Sequence, residues 1–436
     1  LRILYTLSIY IYVTIIRVAA LFNHKARLWV NGRKNIFSRL KAKLKTDAHQ
    51  GYRIIWIHCS SLGEFEQGRP VIEKMKKTFP RFRILLTFFS PSGYEIRKNY
   101  DLADWVFYLP PDTPVNARKF VHLVNPIIVF FVKYDYWFNY LHELKSKNIP
   151  VLVISAVFRP GQYFFQWYGE WFRKQLNAIT WFFVQNEISY SLLKSIGSHN
   201  ASITGDTRFD RVADIAAVKK EFPFVKEFCG KQNVFIAGST WKEDEDILIP
   251  LILDKSARVK FIIAPHDTSD GRIKELTRRI NKPIVRYSDL TAENSITADI
   301  LLIDTVGILA HLYQYARVAY IGGGFGAGIH NIQEPITFGV PVFFGPRYHK
   351  FREATDLISQ GAAFSVKTTA EMTGPVSKLI SDQEYYTKLS VICRNYVEMN
   401  KGSTEKTLDV IINLGLFPAG QENNSKPDPF RSDNNT

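Results

Sequence analysis

From Arg53 onward, short and almost purely apolar runs alternate with stretches whose apolar positions recur at helical spacing. The runs predict strands at Ile54–Cys59, Ile84–Phe89, Trp105–Leu109, Ile127–Val132, Val151–Ser155, Phe182–Val184 and Ala201–Thr204. Between them the spacing predicts helices over 68–78, 93–99, 114–123, 137–147, 167–177 and 188–196. A polar, charge-rich passage from Gly205 to Gln232 interrupts the pattern, which then restarts. The second series is Val234–Ala237, Val259–Ala264, Ile300–Ile303, Arg317–Ile321, Val340–Phe344 and Ala363–Val366. Strands that are apolar throughout belong to parallel sheets covered on both faces. Strand–helix alternation run through twice gives an α/β chain of two Rossmann-like, doubly wound domains, with a ligand cleft expected between facing carboxyl ends of the strands.

The N-terminus departs from this alternation. Ile3 to Ile16 is almost wholly apolar or aromatic, and Val18 to Phe22 extends it past Arg17. About 20 apolar residues span a bilayer, so the segment is at the margin of length. His24, Lys25, Arg27, Arg33, Lys34, Arg39, Lys41, Lys43 and Lys45 follow and favour the cytoplasmic side. No small-residue cleavage site follows the apolar stretch, which disfavours a signal peptide. A spanning anchor, an interfacial helix and a buried helix stay open. The chain thus divides into an anchor at 1–24, a basic juxtamembrane segment at 25–50, a first domain at 51–210, a second at 211–419, and a polar tail at 420–436 expected to be disordered.

Composition narrows the partners. With 436 residues, two domains are the prior. A hydrophobic share of 46% excludes disorder for most of the chain. The formal charge of +15, from 56 basic and 41 acidic side chains, favours anionic partners: nucleic acid, anionic lipid or a phosphorylated substrate. Nucleic acid is disfavoured, because no recognition helix, zinc-ligand set or aromatic RNA-binding motif is present. Cys59, Cys229 and Cys393 are far apart and form no metal-ligand or disulfide pattern.

The densest chemistry lies between Ile321 and Pro346. A β-branched run feeds into five glycines, Gly322, Gly323, Gly324, Gly326 and Gly328, followed by His330, Asn331 and Glu334. Glycines let the backbone approach a ligand, and a helix beginning near Asn331 would aim unpaired N–H groups at an anion. The combination suits a nucleotide or sugar phosphate. Gly238-Ser239-Thr240 likewise follows a strand with small hydroxyl residues. The run Glu243 to Asp246 after Trp241 reads as first-turn helix acids in preference to metal ligands. His266, after the next strand, is a phosphate donor, a base-stacking ring or an ordinary loop residue. In the first half, Gly63 turns the chain and Glu64 falls where the loop enters a helix. There it is a general base or a helix N-terminal acid, with Glu66 as local competitor.

Taken in order, Ser61-Leu-Gly-Glu64, Gln185 with Glu187, Gly205-Asp-Thr-Arg-Phe-Asp210, Gly238-Ser-Thr240 and Gly328-Ile-His-Asn-Ile-Gln-Glu-Pro335 resemble the motif series of bacterial 3-deoxy-D-manno-octulosonic acid (Kdo) transferases, over roughly residues 1–415. The resemblance implies an inner-membrane glycosyltransferase of the GT-B fold that moves Kdo from CMP-Kdo to a lipid A precursor in lipopolysaccharide synthesis. It implies catalytic domains on the cytoplasmic side, and neither metal nor cofactor. It makes Glu64 the general base of an inverting transfer. It gives Gly238, Ser239, Thr240, His266, Gly324, His330, Asn331 and Glu334 to the donor, and Ser61, Gly63 and Arg69 to the acceptor. Lys74, Lys76, Lys77 and the aromatic stretch Tyr163 to Tyr168 are further candidates for that acceptor surface, while each lysine taken singly reads first as part of a solvated helix face.

Two departures stand out. Lys133-Tyr-Asp135 replaces an acidic Glu-x-Glu, and Pro265-His266-Asp267 lacks the arginine of Pro-Arg-His. Donor phosphate binding then draws on Arg208, Lys242 or another cation. A nucleotide-sugar epimerase of the same fold and a non-catalytic membrane-bound sugar-nucleotide binder are the alternatives.

Overall fold

The computed structural model describes residues 1–47, 52–218, 220–254 and 259–417. The expected disordered tail at 420–436 and the junction at 50–51 lie outside them. Among the described residues two units are compact: those of Leu1–Arg208 together with those from Gly402 to Phe417, and those of Phe209–Lys401.

The first unit is built on seven parallel strands: β1 (Ile54–Cys59), β2 (Arg83–Phe88), β3 (Trp105–Tyr108), β4 (Ile128–Val132), β5 (Val151–Ala156), β6 (Trp181–Val184) and β7 (Ala201–Ile203). Their spatial order is β3-β2-β1-β4-β5-β6-β7. Every residue of β4 and β5 is buried, as apolar runs covered on both faces require. The second unit repeats the plan with β8 (Asn233–Thr240), β9 (Val259–Pro265), β10 (Val285–Arg286), β11 (Ile300–Leu302), β12 (Val318–Ile321), β13 (Val342–Phe344) and β14 (Ala363–Ser365). Their order is β10-β11-β9-β8-β12-β13-β14, again all parallel. The doubly wound α/β class read from the sequence therefore holds in both units. Strand order reverses between β1 and β4 in one sheet and between β8 and β12 in the other, and ligands of such sheets bind beside that reversal.

Four helices matter for the first unit: α1 (Arg2–Ala19), α2 (His24–Gly32), α3 (Ile36–Asp47) and α4 (Leu62–Thr78). Helix α4 begins six residues before the predicted start at residue 68. Gly63, Gly68 and Pro70 read locally as breakers, yet Phe65, Val71, Ile72 and Met75 are buried on the sheet and hold the helix through them. The chain then returns late. Helix Ser403–Asn413 packs on α4, with Leu408 and Ile411 in one apolar cluster with Ile72 and Met75. Phe417 stacks on Phe79 with ring centroids 4.4 Å apart. Residues 402–417 thus belong with the first unit, although the sequence pattern had grouped them with the second.

Helix α1 is long and apolar enough to cross a membrane. One face nevertheless docks on the first unit. The Tyr5 hydroxyl donates to Asp112 Oδ2 at 2.6 Å, and its ring meets Phe138 edge-on at 4.9 Å. Tyr12 lies against Trp29 and Phe89. Val13 is buried on the same side, whereas Ile3, Leu4, Leu7, Ile11, Ile15 and Val18 are exposed.

Candidate functional site

In the first unit the reversal between β1 and β4 gathers two carboxylates. β1 ends at Cys59, and Ser60 and Ser61 lead into the first turn of α4, which carries Glu64. The Ser61 hydroxyl donates to Glu64 Oε2. β4 ends at Val132, and Lys133 turns the chain with φ of +66°. Such a conformation is strained for a non-glycine residue and concentrates at functional positions. Asp135 follows, its side chain 11% exposed, and accepts a hydrogen bond from Ser60 Oγ at 2.5 Å. Behind it, Trp137 Nε1–H donates to His58 Nε2 at 3.0 Å, so the His58 proton sits on Nδ1 and is directed at Thr87. Burial pushes His58 down to about 3, which keeps it neutral although its Nε2 lies 3.7 Å from Asp135 Oδ2.

Sequence reasoning left Asp135 without a role, because the acidic pair expected there was absent. The fold supplies a pair from elsewhere: Asp135 beside Glu64. Burial, and to a lesser extent the Glu64 charge, pushes Asp135 up to about 7 against the Ser60 hydrogen bond, which favours the charged form. Between the ordinary carboxylate range and pH 7 the folded chain holds a proton that the unfolded chain has lost. Stability therefore falls as pH rises through that window, by on the order of 4 kcal/mol for this group. Asp135→Asn cannot ionise. The difference in melting temperature between variant and parent is expected to grow in the variant's favour from pH 4 to pH 7 and level off above. A difference that does not change with pH would show that Asp135 titrates normally.

The basic residues assigned to the acceptor are largely committed within the unit. Arg69 Nε donates to Glu73 at 2.7 Å, and Arg69 Nη1 lies 3.9 Å from Glu66. Lys74 pairs with Glu405, and Lys76 with Asp104 at 2.7 Å. Lys77 is exposed. Phe164 is buried in the aromatic stretch while Trp167 and Tyr168 are exposed. Gly63 is exposed in the first turn of α4, beside Ser61. Arg208 forks onto Asp206 at 2.6 and 3.0 Å, which matches its charge.

In the second unit the three candidate segments arrive on adjacent strands. Gly238, Ser239 and Thr240 end β8, His266 follows β9, and the glycine loop follows β12. Ser239 adopts φ of +55° at an irregularity between β8 and β9. Gly322 must be glycine, since a Cβ there would lie 2.2 Å from the Ser239 carbonyl oxygen. The next residue, Gly323, has φ of +92° and donates its amide to Asp244 Oδ2 at 2.9 Å. Asp244 also accepts from Trp241 N at 2.9 Å and Tyr320 Oη at 2.8 Å. Glu245 pairs with Arg272 and Arg279. The acidic run is thus the first turn of helix Lys242–Leu253, as read from the sequence. Lys242 opens that helix, exposed.

Trp241, His266 and His330 form one aromatic assembly. His266 stacks on Trp241 at 4.4 Å and on His330 at 4.6 Å, with interplanar angles of 25° and 21°. Trp241 Nε1–H donates to His330 Nε2 at 3.1 Å. Trp241 and His330 therefore lie side by side with His266 over both. The bond to Nε2 leaves the proton of neutral His330 on Nδ1, a donor that can meet an anionic oxygen. Burial, with His266 nearby, pushes His330 down to about 4. Trp241→Phe keeps the ring and loses the N–H. It is expected to move the His330 proton toward Nε2 and raise its pKa, read from imidazole nitrogen shifts. Unchanged shifts would remove Trp241 from this role.

Asn331 and Glu334 stand at the next turn. Asn331 Nδ2 donates to Glu334 Oε1 at 3.3 Å, and Asn331 Oδ1 accepts from Gln333 N at 3.1 Å. The helix they open, Gln333–Thr337, is only five residues long and starts two residues later than expected. Gly324 packs its backbone against Gly345. A cation that sequence reasoning missed stands here: Arg347 donates its amide to Gly324 O at 2.9 Å and Nη1 to Gly326 O at 2.8 Å. It lies three residues beyond β13, the neighbour of β12, and nothing in local sequence tied it to the glycine loop.

Residues 34–211 match the family described as 3-deoxy-D-manno-octulosonic-acid transferase (kdotransferase). A 3-deoxy-D-manno-octulosonic acid transferase of Aquifex aeolicus is 26% identical over 334 residues, 75% of this chain and 86% of its own length. A bifunctional glycosyltransferase/methyltransferase of Fusobacterium nucleatum is 26% identical over 344 residues, 76% of this chain. The match spans only about half of that bifunctional protein, 53% of its length. Among solved structures, a UDP-GlcNAc 2-epimerase from Neisseria meningitidis bound to UDP-GlcNAc superimposes with a TM-score of 0.58 at 18% identity, covering 83% of this chain and all of that one. That likeness concerns the fold, two Rossmann-like units in one chain, as in the GT-B class.

Proposed function

We propose that the chain is a glycosyltransferase of the Kdo transferase family, a reading its likeness to those enzymes supports, and that it moves Kdo from CMP-Kdo to a hydroxyl of a lipid A precursor, with inversion at the anomeric carbon. The observation that carries this reading is the placement of Glu64. It stands in the first turn of α4, at the strand-order reversal of the first sheet, inside the segment that matches the family. The second unit supplies the matching half of the argument, because its donor candidates gather at the same kind of reversal between β8 and β12.

Gly238, Ser239 and Thr240 hold the CMP phosphate through backbone N–H and hydroxyl groups. His266 and the Nδ1–H of His330 stand nearby, and Gly324 lines the loop. Asn331 and Glu334 take the ribose and cytosine region, and Arg347 supplies the cation that the Pro-His-Asp sequence lacks. As CMP leaves, charge builds on its phosphate while the sugar gains oxocarbenium character. Fixed N–H donors and a guanidinium stabilise that charge without reorganising. Glu64 accepts the proton of the attacking lipid hydroxyl, oriented by Ser61 and with Gly63 leaving space beside it. Asp135, its carboxyl pushed up toward neutral pH by burial, stands beside the base without competing for the lipid hydroxyl's proton.

The exposed apolar face of α1, the basic stretch after it and the lipid acceptor together support attachment to the cytoplasmic face of the inner membrane. Release of CMP tests the reaction class. It is expected when CMP-Kdo and a tetra-acylated lipid A precursor are both present, and not with CMP-Kdo alone. An epimerase would instead change UDP-GlcNAc in solution with no lipid, and that outcome would overturn the reading.

A further inference from the structure

A cavity of about 710 Å³ opens between α1, the turn joining α2 to α3, and the start of the helix Pro114–Val124. Its volume is in the range of ligand sites. Among the described residues four cations line it, Arg17, Arg33, Lys34 and Lys119, and no carboxylate does. Among the described residues none of the four is ion-paired. Arg33 is the telling one. Its guanidinium is packed over the rings of Trp29 and Tyr108, 3.9 and 4.7 Å from their centroids. It donates only to carbonyls: Leu109 O at 2.9 Å, Trp29 O at 3.1 Å and Phe89 O at 2.7 Å. Burial without a counter-ion pulls it down to about 9. A desolvated charge with no anion of its own stabilises one brought by a ligand. The N-terminus of the eleven-residue helix Pro114–Val124, capped by Thr113, adds its partial positive charge at the same wall.

The far side of α1 has the opposite character. A second, largely apolar cavity, of about 400 Å³, is lined by Ile9 and Tyr12 of α1 with Phe89, Pro111 and Trp137, beside Ser8 and Asp112, and among the described residues no cation lines it. Trp137 is the residue whose indole meets His58 behind Asp135. Between the two cavities the outer face of α1 is exposed and apolar. One helix therefore separates a cationic pocket from an apolar one, and a ligand that fills both carries phosphate and acyl chain together. We propose that the Arg17–Arg33–Lys34–Lys119 cavity binds the phosphate of the acylated acceptor while an acyl chain lies along α1 toward Trp137. This rests on the acceptor reading above, and it differs from that reading in assigning recognition to the α1–α3 layer instead of to Arg69, Lys74 and Lys76.

The test uses the full chain in neutral detergent with no CMP-Kdo, so turnover plays no part. The probe is a tetra-acylated, bisphosphorylated glucosamine disaccharide lipid, compared with its dephosphorylated form and with phosphatidylglycerol. Binding is followed by the fluorescence of Trp29 and its neighbours and by native mass spectrometry. The phosphorylated disaccharide is expected to bind at least tenfold tighter than either comparator. The double variant Lys34→Glu, Lys119→Glu, altered at two exposed positions, is expected to lose that preference while binding CMP as the parent does. The proposal is overturned if the variant keeps the preference, or if phosphatidylglycerol competes as well as the disaccharide lipid, which would make the cavity a general anionic-surface patch. If the parent shows the preference yet never transfers Kdo, the acceptor site stands and the transferase reading falls.

Discussion

Glu64→Gln is expected to lower turnover by about 10²–10⁴-fold, the contribution typical of a positioned general base, while CMP binds the variant much as it binds the parent. The amide is nearly isosteric and can still accept the Ser61 hydroxyl, so the first turn of α4 keeps its local geometry. What it cannot do is take a proton. The donor candidates belong to the second unit, which the substitution does not touch. The expected signature is therefore a loss in kcat with little change in CMP affinity, measured by turnover with saturating donor and by calorimetry with CMP. Turnover equal to the parent's would assign Glu64 to the helix dipole and return the search for a base to Asp135 or Glu66.

The second large effect is expected at Asp244→Ala. This buried carboxylate joins three elements at once: the Trp241 amide, the Gly323 amide and the Tyr320 hydroxyl. Removing it leaves three donors without their acceptor, and the two buried ones, on Gly323 and Tyr320, are each worth about 1–3 kcal/mol when orphaned. Relaxation makes the penalties less than additive, so a destabilisation of about 3 kcal/mol is expected. The functional consequence is separate from the loss of stability. Gly323 begins the loop that ends at His330, and Trp241 holds the His330 ring. Both are set in place by the same carboxylate, so CMP affinity should fall at least tenfold at temperatures where the variant is still folded. Thermal unfolding with and without CMP separates the two: a lower melting temperature and a reduced CMP-induced rise. A variant that melts early but shows the full rise would show that Asp244 braces the fold and not the donor site.

The sheets were legible because their strands are buried on both faces, which writes an unbroken apolar run into the sequence. Among the described strands only β10, two half-buried residues at a sheet edge, escaped that signal. The early start of α4 and the return of helix Ser403–Asn413 were not legible, since both depend on burial against partners distant in sequence. The same distance hid parts of the site. Glu64, Asn331 and Glu334 announce themselves through motif and loop position. Asp135 gains its meaning from Ser60, 75 residues earlier, and Trp241 from His330, 89 residues later. Charges misled for the mirror-image reason. Lys74 and Lys76 look free along the chain, yet Glu405 and Asp104, 331 and 28 residues away, neutralise them; Arg69 pairs with Glu73, only four residues on.

The most direct check of the central claim is the mass of the lipid. After incubation of the protein with CMP-Kdo and a tetra-acylated lipid A precursor, the lipid is expected to gain the mass of a Kdo residue, in amounts matching the CMP released. A lipid of unchanged mass beside released CMP, or beside intact CMP-Kdo, would contradict it.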